Sequence, residues 1–180
     1  AKIVRLYCEE NRIYEAANEA LRGLGKASFR QVIQDNILVD KPRDVDLSLP
    51  KAIWELSPSI ILTTNYDDVL RWANPQARTL INSQTPELAD LFRSSSSKPT
   101  VWHIHGYIND ANSLILAPQQ YRQLYEGSQS PQSGYDAALS QLKGLLTNYS
   151  FLFIGFRLND IYVMDLLSEV LQRFDNNLSQ

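Results

Sequence analysis

Two apolar runs near the middle of the chain stop abruptly at polar residues. Residues 59–64 read Ser-Ile-Ile-Leu-Thr-Thr and lead into Asn65, Tyr66, Asp67 and Asp68; residues 100–105 read Thr-Val-Trp-His-Ile-His and lead into Gly106. Short apolar runs bounded in this way predict buried strands. Residues 150–155, Ser-Phe-Leu-Phe-Ile-Gly, form a third run, apolar enough for a strand covered on both faces. Weaker patches at 79–81 and 113–117 predict two more short strands.

Between these runs the apolar spacing turns helical. A helix is expected over residues 2–24, with Ile3, Leu6, Tyr7, Ile13, Ala17 and Leu21 on one side, and another over 28–37. Residues 40–46 are polar and broken by Pro42, so they predict a loop before a short helix near 49–56. Further helices are expected at 67–73, closed by Pro75, at 87–93, at 119–125 behind Pro118, and at 135–147. The last covers 161–174, capped by Asn159 or Asp160, with Ile161, Met164, Leu167, Val170, Leu171 and Phe174 facing inward. The serines at 94–97 and the Ser/Gln/Gly/Pro-rich residues 127–134 predict connecting loops.

Strands alternating with helices predict an α/β fold, a Rossmann-like parallel sheet with flanking helices and a small helical insert. We divide the chain into a helical insert or small subdomain at 1–46 and a Rossmann-like portion at 47–180. In open α/β sheets ligands bind beyond the carboxyl ends of the strands. Three such ends then become candidates for one crevice: Thr64-Asn65, His105-Gly106 and Gly155-Phe156.

Composition narrows the chemistry. With 180 residues, 44% of them hydrophobic, the chain can bury a substantial core. Its 17 basic and 20 acidic residues give a net charge of -3 without a basic block, which argues against a nucleic-acid contact. No apolar run reaches membrane-spanning length and the start lacks a signal-peptide pattern, so a cytoplasmic setting is the simplest expectation. The single cysteine, Cys8, cannot build a four-thiolate zinc site and is expected to be a small buried hydrophobe on a helix. His103 and His105 alternate on the expected strand and share a face, yet no convincing third metal ligand accompanies them.

Taken in order, Thr63-Thr-Asn-Tyr-Asp67, Ile104-His-Gly106 and Phe153-Ile-Gly-Phe-Arg-Leu-Asn-Asp160 resemble the sirtuin-like NAD-binding domain. The likeness covers about residues 47–174 and is greater to the divergent bacterial branch found in anti-phage defence proteins. It implies a cofactor lying across the strand ends, with Thr64, Asn65, Asp67, Gly155, Phe156 and Arg157 at NAD. Asn65 would stand beside the nicotinamide ribose, Asp67 would meet the carboxamide, and His105 would be the general base. Asn65 and Asp67 also read as helix caps, and His105 as a turn residue with a satisfied imidazole. His103 has no counterpart in the motif and is read as structural.

Two departures qualify the likeness. The family's Gly-Ala-Gly strand-turn-helix, which holds the pyrophosphate, has no equivalent here, because Gly23-Leu-Gly25 follows a helix. We therefore expect the first strand, and half of the cofactor cradle, to lie upstream of Ala1. The family's four zinc-binding cysteines are missing too, which shifts the expectation from lysine deacylation to NAD hydrolysis or cyclisation, with no zinc. NAD or ADP-ribose, further domains of a larger chain, and a second copy of the chain are the expected partners. A binding module that senses NAD or ADP-ribose without turnover is the alternative.

Overall fold

The structure, a computed structural model, describes residues 2–36, 40–91, 98–125, 135–156 and 160–178, the side chains of 173–178 excepted. The serines at 94–97, the expected loop at 127–134, Arg157 and Asn159 lie outside the described residues. The chain forms two compact units, Ala1–Pro118 and Gln119–Gln180.

The first unit opens with three helices, α1 (Lys2–Glu9), α2 (Ile13–Leu24) and α3 (Lys26–Asn36). A single helix over 2–24 was the expectation; the chain instead turns at Asn11, whose φ is +57°. Asparagine tolerates this left-handed region better than most side chains, which explains the break. Gly25, at φ +76°, ends α2 in the same region. Cys8 lies on α1 but is exposed, contrary to the expected burial, because α1 buries none of its residues.

After α4 (Ser48–Glu55) come β1 (Ile60–Thr63), α5 (Val69–Ala73), β2 (Arg78–Ile81), α6 (Thr85–Asp90) and β3 (Thr100–His103). The strands form a parallel sheet in the order β1-β3-β2. Ile60 faces Thr100 and Thr63 faces His103 on one side; Arg78 faces Thr100 and Ile81 faces His103 on the other. β3 is therefore paired along both edges, and all four of its residues are buried. This α/β, Rossmann-like arrangement is the one the alternating elements predict, and it brings the carboxyl ends of β1 and β3 side by side.

The strand expected over 113–117 does not form. Those residues instead close the turn that follows β3: Ser113 Oγ accepts from the Tyr107 N–H and donates to the Asp110 carbonyl, at 2.9 and 2.7 Å. The Ile115 N–H reaches back to the His105 carbonyl at 2.9 Å. Ile81, Tyr107, Ile108 and Leu114 make the core beneath this turn, with Ile33 and Tyr66 packed against it. From α3, Arg30 donates to the Asn112 side chain at 2.9 Å, which fixes the turn from outside.

The second unit holds α8 (Asp136–Asn148) and α9 (Ile161–Leu178), preceded by α7 (Pro118–Tyr125), with proline at its first position as expected. Tyr121, Tyr125 and Tyr162 stack, with Tyr121 and Tyr162 centroids 5.4 Å apart. The inward stripe of α9 runs through Leu166 and Val170, whereas Ile161 and Leu171, expected inside, are exposed. The run at 150–155 is not a strand: among the described residues it has no ladder partner, and Leu152, Phe153 and Ile154 are exposed.

Candidate functional site

Thr63 ends β1 and the chain then leaves the sheet, because Asn65 and Asp67 can bond to local backbone in place of a ladder. The Asn65 N–H donates to Thr63 Oγ1 at 3.1 Å, and the Asp67 carboxylate accepts the Val69 N–H at 3.0 Å, opening α5. Asp67 thus holds the first amide of α5 with one of its oxygens, while the cap position itself is Asp68. Asn65 is engaged through its main chain; its side chain is exposed, and among the described residues its amide has no protein partner. Thr64 is half-buried between Thr63 and Asn65.

Across from this turn, β3 ends at His103, and the Ile104 N–H donates to the Thr63 carbonyl at 3.0 Å. His103 and His105 were expected to alternate on one strand; the strand stops at His103, and His105 stands in the turn that follows. His105 is buried at 3% exposure, with its carbonyl bonded to Ile115. The reason for the turn is Gly106. Its φ is +98°, and a Cβ there would collide with the Ser113 carbonyl and come within 2.7 Å of the Leu114 Cα. Only glycine lets the chain reverse this tightly after His105.

His103 is the residue that sequence reasoning set aside. Its imidazole is 1% exposed, and Nδ1 lies 3.0 Å from the Asn65 carbonyl. A carbonyl only accepts, so Nδ1 carries the proton and Nε2 keeps a lone pair. That Nε2 is buried without a hydrogen-bond partner among the described residues. Burial pushes the His103 pKa below its ordinary value, more strongly than the Asn65 carbonyl, Asp68 and Asp67 raise it, and Arg71 adds to the lowering. The ring is neutral at cellular pH.

Behind it lies a polar chain. The His103 and Tyr107 rings are 4.8 Å apart at 46°, and the Tyr107 hydroxyl accepts from Arg71 at 3.1 Å and from Asn109 at 2.8 Å. Arg71 on α5 stands 3.7 Å from Asp68, the residue just before that helix, as an ion pair. The signal that could have found His103 was its register: two residues before His105, it comes level with Thr63 at the mouth of the sheet.

The fold thus brings Thr64, Asn65, Asp67 and His105 to two adjoining strand ends. Gly155 and Phe156 belong to the second unit; Gly155 has φ +66°, with open space around it. The donor set at the β1 and β3 ends suits a nucleotide sugar and a carboxamide: an exposed amide, a threonine hydroxyl, a carboxylate and an imidazole. Among the described residues, no three His, Cys, Asp or Glu side chains converge as a metal site, and no helix is long and apolar enough to cross a membrane. A family model described as a SIR2-like domain matches residues 59–180, which is 122 of the 180 residues. No curated protein matches the chain.

Proposed function

The chain belongs to the SIR2-like domain family, and from that premise we propose that it cleaves the nicotinamide glycosidic bond of NAD at the β1 and β3 ends. The products would be nicotinamide and ADP-ribose, or a cyclic form of it. SIR2-like domains use NAD. The observation that carries the finer reading is the exposed Asn65 amide, held by its main chain beside the turn that contains His105.

Breaking this bond develops oxocarbenium character at the ribose, while nicotinamide departs as a neutral molecule that needs no acid. Positioning and a base are the main requirements. The Asn65 amide can orient a water or a ribose hydroxyl without adding charge. His105 would take the proton as general base. The other Asp67 oxygen can accept from the carboxamide NH2. The likeness to the bacterial anti-phage branch makes an effector role in such defence part of the same proposal.

The deciding measurement is nicotinamide release by the full-length protein. We expect Asn65→Ala to lower its rate about a hundredfold or more, as the loss of a positioned group does; an unchanged rate would overturn the assignment. The burial of His105 favours a second reading, a module that binds NAD or ADP-ribose without turnover. Calorimetry showing binding of either nucleotide, without nicotinamide release, would select it.

A further inference from the structure

We propose that His103 is a positioning residue for Asn65: its Nδ1–H, fixed in one tautomer, holds the main chain of residue 65 so that the amide is presented at the joined strand ends. This rests on the reading of those ends as the NAD site.

The residue sits where histidine is an expensive choice. A buried acceptor without a partner is destabilising, and such groups are uncommon in folded chains. Nε2 of His103 is one. Leucine or phenylalanine would occupy the same interior without that cost. What they lack is an N–H aimed at the Asn65 carbonyl, 3.0 Å away.

The ring's own orientation is set by its surroundings. Tyr107 lies against it, and Tyr107 is fixed through its hydroxyl by Arg71 and Asn109. The charged and titratable groups facing His103 are Asp67 and Asp68 from the loop after β1, Arg71 from α5, and Tyr107 from the turn after β3. Residue 65 is then held on the peptide units at either side of it, its N–H by Thr63 Oγ1 and its carbonyl by His103 Nδ1. Only its side chain remains to vary, which is what a positioned amide requires.

Three readouts on the full-length protein test this. In the wild type, imidazole nitrogen shifts should show the Nδ1–H tautomer for His103 at pH 7; an Nε2–H tautomer or an imidazolium overturns the assignment. In His103→Leu, amide exchange at residues 64–66 should quicken and kcat for nicotinamide release should fall about ten- to a hundredfold, with KM little changed. His103→Asn, whose amide nitrogen stands where Nδ1 stood, should recover both. Wild-type exchange and kcat in a folded His103→Leu variant, or a loss that His103→Asn does not repair, overturns the proposal. Should His103→Leu fail to fold, the tautomer and the His103→Asn variant decide it. Should the wild type release no nicotinamide, the proposed activity falls, while tautomer and exchange still decide the part played by His103.

Discussion

Residues 100–104 and 151–154 are both apolar runs, the second the more so, yet they end in opposite environments. Val101, Trp102 and Ile104 are buried in the first, while Leu152, Phe153 and Ile154 are exposed in the second, Leu152 by 72%. Apolar composition states a demand for burial; it does not name the partners that meet it. β3 has partners on both edges, from β1 and β2, and Trp102 Nε1 also finds Asn82 Oδ1 at 2.9 Å. In the later run Phe153 lies about 6 Å from the Phe151 and Phe156 rings.

The contrast can be broken most forcefully at Trp102. Trp102→Ala should cost about 3–5 kcal/mol by chemical denaturation, because it leaves a large cavity. It also strips Asn82 of a donor. A loss under about 1 kcal/mol would mean that the centre of the sheet is far looser than its burial indicates.

Acid gives the next effect. His103 is neutral in the folded chain with its pKa lowered mainly by burial, so the unfolded chain binds its proton first as pH falls below about 6.5. Stability is therefore complete above that value and declines as pH falls toward the lowered pKa. Denaturation midpoints between pH 7 and 5 should drop more in the wild type than in His103→Leu; equal slopes would show that His103 does not titrate this way.

The smallest effect is expected in the exposed run. Leu152→Ser should change stability by no more than about 0.5 kcal/mol. A loss above about 1.5 kcal/mol would reveal that residues 150–155 are covered in solution and would erase the contrast.

The same contrast measures how much could be read from the chain alone. β1, β2 and β3 were legible because each apolar run stops at a sharp polar boundary, and the strand-end residues Asn65, Asp67 and His105 follow from those boundaries. The run at 150–155 was over-read, because continuous apolarity does not distinguish a paired strand from an exposed segment. Residues 113–117 were over-read for another reason: Gly106 commits them to closing a turn, and its dependence on Ser113 is a contact of tertiary structure. His103 was read as structural, which its burial bears out, but its bond to a main-chain carbonyl 38 residues away is something no local pattern encodes.

The joined ends of β1 and β3 carry a thermodynamic consequence. The Ile104 amide on the Thr63 carbonyl, the His103 imidazole on the Asn65 carbonyl and the wedge of Gly106 against Ser113 leave the two turns little backbone freedom. Conformational entropy was surrendered there when the chain folded. A nucleotide bound there as proposed would have correspondingly little left to order in the protein, and most of the ordering on association would fall on the ligand itself.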